Sequence, residues 1–175
     1  MNTLDNILDE INKANSIVIL THENPDGDAI GSGLALYNAL KDMGKNPDLI
    51  IPEFPRTFEF LPGADEIKKG ADIEKYDLAI SVDCATIKML NGFANYFENA
   101  EVKISIDHHS TNTMFGDINY VSPDAPACAQ ILIVLLNYFK IEVTKEIGTC
   151  ILAGIITDTG GFKYSGVTAE NFEFV

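Results

Sequence analysis

Positive charge is what this 175-residue chain has least of: 12 lysines and arginines stand against 26 acidic residues, a formal charge of −14. The sequence pI is near 4.4. So small a supply of cations excludes a protein that grips long duplex nucleic acid through a broad basic face, because such binding is driven by lysine and arginine at phosphates. It leaves room for a small phosphorylated substrate held by metal ions, whose charge this count omits. The three cysteines, Cys84, Cys128 and Cys150, are few, odd in number and too widely spaced for a zinc motif, and read as reduced, buried small residues. The longest apolar run, Ile131 to Leu136, is too short to span a bilayer. The opening MNTLDNILDEINKANS is acidic and amphipathic and lacks the basic and apolar regions of a signal peptide. The expected setting is a reducing cytoplasm, with no membrane partner. There is no internal repeat and no low-complexity tract.

What is present suits one folded domain, since 46% of the residues are hydrophobic. Leu4, Ile7, Leu8 and Ile11 recur at helical spacing and predict a first helix capped by Thr3 and ending near Asn15. Ser16 to His22 is a continuous apolar run closed by Thr21 and His22, which predicts a strand buried on both faces. Asn24, Pro25 and Gly27 force a turn, and Ala29 to Met43 returns to helical period before Gly44. Asp48 to Ile51 predicts the next strand and closes a βαβ unit. A proline-rich loop follows, in which Phe58 to Gly63, FEFLPG, reads as a surface loop with aromatic anchors in preference to a lid. Asp77 to Asp83 and Lys103 to His109 predict two further buried strands. After a loop with Pro123 and Pro126, a strongly apolar helix is predicted over Ala127 to Phe139. Another is capped by Thr144 and leads to TDTGGFKYS at Thr157 to Ser165. The pattern is α/β, a mainly parallel β-sheet with helices on both faces.

Three predicted strands end in His22, in Asp83 and in the group Asp107, His108 and His109, and a parallel sheet gathers such ends at one edge. A single aspartate after a strand is usually a cap or turn residue. Four such events in one chain, Asp158 in TDTGG included, are harder to assign to independent caps. Asp26, Asp28, Asp83 and Asp158 supply four carboxylates, and His22 and His108 two imidazoles. That supply suits two dications, which need a bridging group and several carboxylates to sit roughly 3.5–4 Å apart. Oxygen and nitrogen donors without thiolate favour manganese or a similar first-row metal over a structural zinc. The expected reaction is hydrolysis of a phosphate ester or anhydride. Because neighbouring strand residues point to opposite faces, His108 and His109 both reach the metals only if the strand has already ended. One is then a ligand and the other a supporting or phosphate-contacting group. Asp107 is either the partner that orients a histidine or a simple cap.

These residues resemble the DHH phosphoesterase family, whose naming triplet stands here as Asp107, His108 and His109. His22 with NPDGDAIGS, VDC around Asp83 and GIITDTGGFKYS are also similar to that family's motifs, in the same order and over nearly the whole chain. NPDGDAIGS, DHHSTNTMFGDINYVSP and the FLPG at Phe60 to Gly63 are most similar to the bifunctional oligoribonuclease and pAp phosphatase branch, the nanoRNases. The resemblance implies two divalent ions, manganese first with magnesium or cobalt left open. One would be held by His22, Asp26 and Asp83, the other by Asp28, Asp83, His108 and Asp158. It implies His109 facing the scissile phosphate with Asn112 near it, and short oligonucleotides or 3'-phosphoadenosine 5'-phosphate as substrates. A homodimer is left open.

Gln130 and Gly166 stand where that branch is expected to have glutamate and asparagine. The resemblance also implies a division at residue 165. Residues 1–165 form the catalytic domain, and residues 166–175 begin a helix toward a smaller, basic substrate-binding domain beyond Val175. On that expectation the acidity of this part is natural, and the chain binds metal but shows weak or no turnover. Rival enzyme readings are a cyclic dinucleotide phosphodiesterase, an inorganic pyrophosphatase and an exopolyphosphatase. Gly27 between the two aspartates is less similar to the pyrophosphatase branch, and the sensor segments of cyclic dinucleotide members are not seen. A non-catalytic metal- or nucleotide-binding module is the reading from another class, but a decayed site would have lost a ligand, and none is lost.

Overall fold

The computed structural model describes residues 3–51, 53–71, 73, 75–164 and 167. Five parallel strands form its sheet: β1 (Ile17–Leu20), β2 (Asp48–Ile50), β3 (Leu78–Val82), β4 (Val102–Asp107) and β5 (Ile118–Val121), in the order β2-β1-β3-β4-β5. All four residues of β1 and all five of β3 are buried, as continuous apolar runs in a parallel sheet require. The helices are α1 (Thr3–Lys13), α2 (Gly27–Asp42), α3 (Ala94–Glu98), α4 (Cys128–Phe139) and α5 (Lys145–Asp158). Side chains of α1, α2, α4 and α5 share one core with Ile17, Ile19, Ile80, Val82, Ile104 and Ile106. On the other face Val18, Leu20 and Ala79 pack with Leu90, Phe97 and Ala100 from α3 and its approach. Helices therefore cover both faces, heavily on one and thinly on the other. Among the described residues no helix is long and apolar enough to cross a membrane.

Strand order matters for the site. From β1 the chain moves to β2 on one side, then returns past β1 to β3 on the other. Connections thus diverge between β1 and β3, and the opening this leaves at the carboxyl ends of the strands is where such sheets place ligands.

Several boundaries differ from the sequence reading. β1 ends at Leu20, β3 at Val82 and β4 at Asp107, so His22, Asp83, His108 and His109 lie beyond the strands. Helix α2 begins two residues earlier than its apolar periodicity, at Gly27, because Asp26 caps it through the N–H groups of Asp28 and Ala29. Thr3 already lies in α1. Thr144 caps α5 as expected, accepting from the Ile147 N–H. Asp158 follows no strand: it is the last residue of α5. The 3₁₀ segment Ile87–Phe93, α3 and the edge strand β5 were not anticipated. The predicted start of a connecting helix at 166–175 lies, apart from Val167, outside the described residues.

Helices α2 and α5 touch backbone to backbone at Gly31. A Cβ there would sit 2.5 Å from the Cys150 carbonyl oxygen and 2.8 Å from the Gly154 nitrogen. Neither backbone atom can swing aside, so Gly31→Val must separate the helices. We expect a stability loss of at least about 1–3 kcal/mol in urea denaturation, against a change within about 0.5 kcal/mol for Gly92→Ala, where a Cβ meets open space. An unchanged midpoint for Gly31→Val would show that α2 and α5 do not pack this closely.

Candidate metal centre

Residues from five segments meet at the carboxyl edge of the sheet. His22 comes from the loop after β1, Asp26 and Asp28 from the start of α2, Asp83 from the end of β3, the 107–109 triplet from the end of β4 and Asp158 from the end of α5. Their donor atoms form three overlapping groups, each within 4.8 Å: His22, Asp26 and Asp83; Asp28, His108 and Asp158; Asp83, His108 and His109. All six candidate ligands of the sequence reading fall in these groups.

Asp83 is the centre of the arrangement. It is 2% exposed and leaves the strand in the left-handed conformation at φ 57°, which aspartate tolerates better than most residues. Its Oδ2 lies 3.8 Å from His22 Nε2 and its Oδ1 3.4 Å from His108 Nε2, so the two oxygens face different histidines. Oδ1 is buried without a hydrogen-bond partner among the described residues. His108 Nε2 is also 3.5 Å from Asp158 Oδ2 and 3.9 Å from Asp28 Oδ2, and His22 Nε2 is 3.9 Å from Asp26 Oδ1. Most of these separations are long for hydrogen bonds. They suit atoms sharing a cation at about 2.0–2.2 Å each, which can lie up to roughly 4.4 Å apart. A buried orphan oxygen among four carboxylates is the observation that fits the residues to metal.

The surrounding groups aim these donors. His108 Nδ1 lies 3.1 Å from the Ala125 carbonyl, which fixes its proton there and leaves Nε2 for the carboxylates. Burial alone would depress the His108 imidazole, but Asp83 and then Asp28 outweigh it and hold the pKa up to about 9. Asp28 is 1% exposed and accepts from Cys128 N at 2.6 Å, Ala129 N at 2.9 Å and Ser32 Oγ at 3.2 Å. Ala127 gives α4 no side-chain cap, so Asp28 caps that helix from across the core. Burial and then Asp83 push the Asp28 carboxyl up to about 8, against the pull of the two α4 N–H groups. Burial raises Asp158 too, helped by Asp83 and Asp26 and opposed by His108. It sits at the negative end of α5, which adds to the local demand for a cation. Gly27 lets that end approach: a Cβ there would lie 2.4 Å from Thr157 Oγ1.

His109 borders the cluster, with Nδ1 3.8 Å from Asp83 Oδ1, but its hydrogen bond goes elsewhere. Its Nδ1 is 2.7 Å from Asp107 Oδ1, and Asp107 is fully buried. Asn112 Nδ2 donates to Asp107 Oδ2 at 2.7 Å and to the Cys84 carbonyl at 3.1 Å, while its Oδ1 accepts from Met114 N. Both ends of the Asn112 amide are committed to the protein, which makes it an anchor for Asp107 instead of a free phosphate contact. Burial would raise Asp107, yet the bonds from His109 and Asn112 prevail and lower it. The bond to Asp107 in turn raises His109. Since β4 has ended at Asp107, His108 and His109 escape strand alternation, and their rings lie 4.7 Å apart. Sequence reading missed the Ala125 carbonyl, Ser32 and the α4 N–H groups. The one signal available was a strongly apolar helix whose start offers no Ser, Thr, Asp or Asn cap.

The family model described as DHH family, N-terminal domain, matches residues 16–155. The chain belongs to the DHH family. Among relatives, the bifunctional oligoribonuclease and PAP phosphatase NrnA of Thermus thermophilus is 38% identical over 161 residues, covering 88% of this chain and 46% of that protein. An exopolyphosphatase-related protein from Bacteroides fragilis superposes with a TM-score of 0.90 at 29% identity, covering 98% of this chain and 54% of its own. RecJ in complex with Mn2+ from Thermus thermophilus shares the fold at a TM-score of 0.56 and 19% identity, over 90% of this chain and 24% of its own. The chain spans about half the length of the curated relatives it matches.

Asp83 provides the test of the centre. Asp83→Asn keeps the shape and tolerates the left-handed backbone while removing one buried charge from the cluster. We expect a higher melting temperature than the parent's without metal and loss of most of the rise expected of the parent with manganese as the probe cation, since a ligand bound to the native state stabilises it. A manganese-induced rise as large as the parent's would refute the shared-carboxylate geometry.

Proposed function

We propose that the chain is the hydrolytic domain of a manganese-dependent phosphoesterase acting on very short oligonucleotides and 3',5'-bisphosphorylated nucleosides. The observation that carries this reading is Asp83, buried, with its two oxygens turned to His22 on one side and His108 on the other. In this reading His22, Asp26 and Asp83 hold one cation, and Asp28, Asp83, His108 and Asp158 hold the second. Such a pair supplies polarisation of the phosphoryl group and activation of a water at neutral pH. The name of the relative from Thermus thermophilus supports the substrate class, and the oxygen and nitrogen donor set supports manganese.

The chain's other groups orient and neutralise. With Nδ1 tied to Asp107, His109 keeps Nε2 free on a side chain that is 38% exposed, where it contacts a phosphate oxygen of the substrate. Asp107 fixes the tautomer and favours the imidazolium, and Asn112 holds Asp107 in place. Asp107 and Asn112 are thus positioning residues, while His109 is the catalytic one. A phosphoanhydride offers the same oxygens to the same groups, and the description of the Bacteroides fragilis structure favours that second reading.

With manganese, the chain is expected to release nucleoside monophosphates from a dinucleotide and phosphate from adenosine 3',5'-bisphosphate, slowly but measurably. His109→Ala should lower kcat by about 10²–10⁴-fold without removing the manganese-induced rise in melting temperature. Rapid hydrolysis of pyrophosphate with neither nucleotide cleaved would move the assignment to anhydrides.

A further inference from the structure

Bordering His22 is a cleft of about 340 Å³ lined by Glu23, Asn24, Lys88, Met89 and Asn91. Two ties between the loop after β1 and the 3₁₀ segment Ile87–Phe93 shape it. The Glu23 N–H donates to the Met89 carbonyl at 2.9 Å, and the Asn91 amide donates to the Glu23 carboxylate. Asn91 adopts φ 43° and ψ −122°, outside the helical region on either side of it. Backbone held in a sparsely populated region persists where the surroundings over-determine it.

Lys88 is the cation of this cleft. It is exposed and forms no hydrogen bond or ion pair among the described residues. Lys13, Lys68, Lys75 and Lys103 find carboxylates, while Lys69, Lys140, Lys145 and Lys163 share with Lys88 the lack of a side-chain partner among the described residues, so what sets Lys88 apart is its place in the cleft beside His22. The nearest carboxylate of the cleft, Glu23, is already held by Asn91. None of the lining residues is a stacking aromatic for a nucleobase. What the cleft offers is amide donors, an ammonium and enough volume for a sugar with its substituent.

We propose that this cleft receives the ribose next to the scissile phosphate together with a second phosphate borne on that ribose, with Lys88 as the residue that selects for it. The proposal rests on the phosphoesterase reading above and adds a determinant that the metal cluster lacks. The metals treat any phosphoryl group alike, whereas Lys88 favours substrates with an additional anionic group. A lysine ammonium suits this as a point charge on a flexible stem.

The test compares adenosine 3',5'-bisphosphate with a dinucleotide that has no terminal phosphate. Lys88→Met is expected to raise KM for the bisphosphate roughly three- to tenfold with kcat held, the range of one charge-assisted contact at an exposed position. The ratio of the two kcat/KM values then falls by the same factor. Lys88→Arg should restore it, and Lys145→Met, at the opposite end of α5, should not shift it. An unchanged ratio for Lys88→Met, or equal loss on both substrates, overturns the assignment. If the parent cleaves neither substrate, the hydrolytic reading fails on its own, and Lys88 is judged by calorimetry. With calcium loaded, the parent should bind adenosine 3',5'-bisphosphate more tightly than adenosine 5'-monophosphate, and Lys88→Met should erase the difference. No difference in the parent, or one that survives in the variant, overturns the proposal.

Discussion

Electrostatic crowding at one edge of the sheet is the constraint on which the structure turns. Asp28 and Asp83 are almost fully buried, and Asp26 and Asp158 stand beside the same two imidazoles. Carboxylates removed from water repel one another and resist ionisation. The fold offsets part of this with backbone: the N-terminus of α2 meets Asp26 and the N-terminus of α4 meets Asp28, so two helix ends direct N–H groups at the acids. The end of α5 works the other way, bringing the negative pole of a helix together with Asp158. The balance is a pocket rich in negative charge with one oxygen, Asp83 Oδ1, that has no hydrogen-bond partner among the described residues.

Two kinds of histidine follow from that balance. His108 is bound by Ala125 behind and faces carboxylates in front, so it behaves as part of the charge cluster. His109 stands at the margin of the crowding, hydrogen-bonded to Asp107, which is itself held by Asn112. The adjacent residues of one triplet thus acquire separate tasks because the strand stops one residue before them. Had β4 continued, one ring would have been driven to the far face of the sheet.

Much of this was legible in the sequence, and for a clear reason. Strands β1 and β3 are buried along their whole length and therefore appear as nearly continuous apolar runs, β4 is buried over its last four residues, and it is the recurrence of acids and histidines just past all three that marks a shared site. β5 is an edge strand of four half-buried residues, INYV, followed by a proline-containing loop, and nothing in its pattern separates it from a loop. The segment 87–98 covers the second face with short, irregular turns that have no periodicity to read. Asp158 was recognised by type and misplaced in context, because helix α5 continues to it through Thr157. The resemblance places Asn112 near the phosphate, and the structure adds what no motif carries, its bonds to Asp107 and to the Cys84 carbonyl. The Ala125 carbonyl and the α4 N–H groups are backbone atoms, and no residue type announces them.

The cap that Asp28 gives α4 couples chemistry to mobility. The amides of Cys128 and Ala129 are held by the same carboxylate that faces His108. A change in the charge on that carboxylate, by a proton or by a cation held beside it, would alter the two bonds that close the first turn of α4. Hydrogen exchange at those two buried amides therefore works as an internal gauge of how the centre is loaded, readable without substrate and without touching a single ligand.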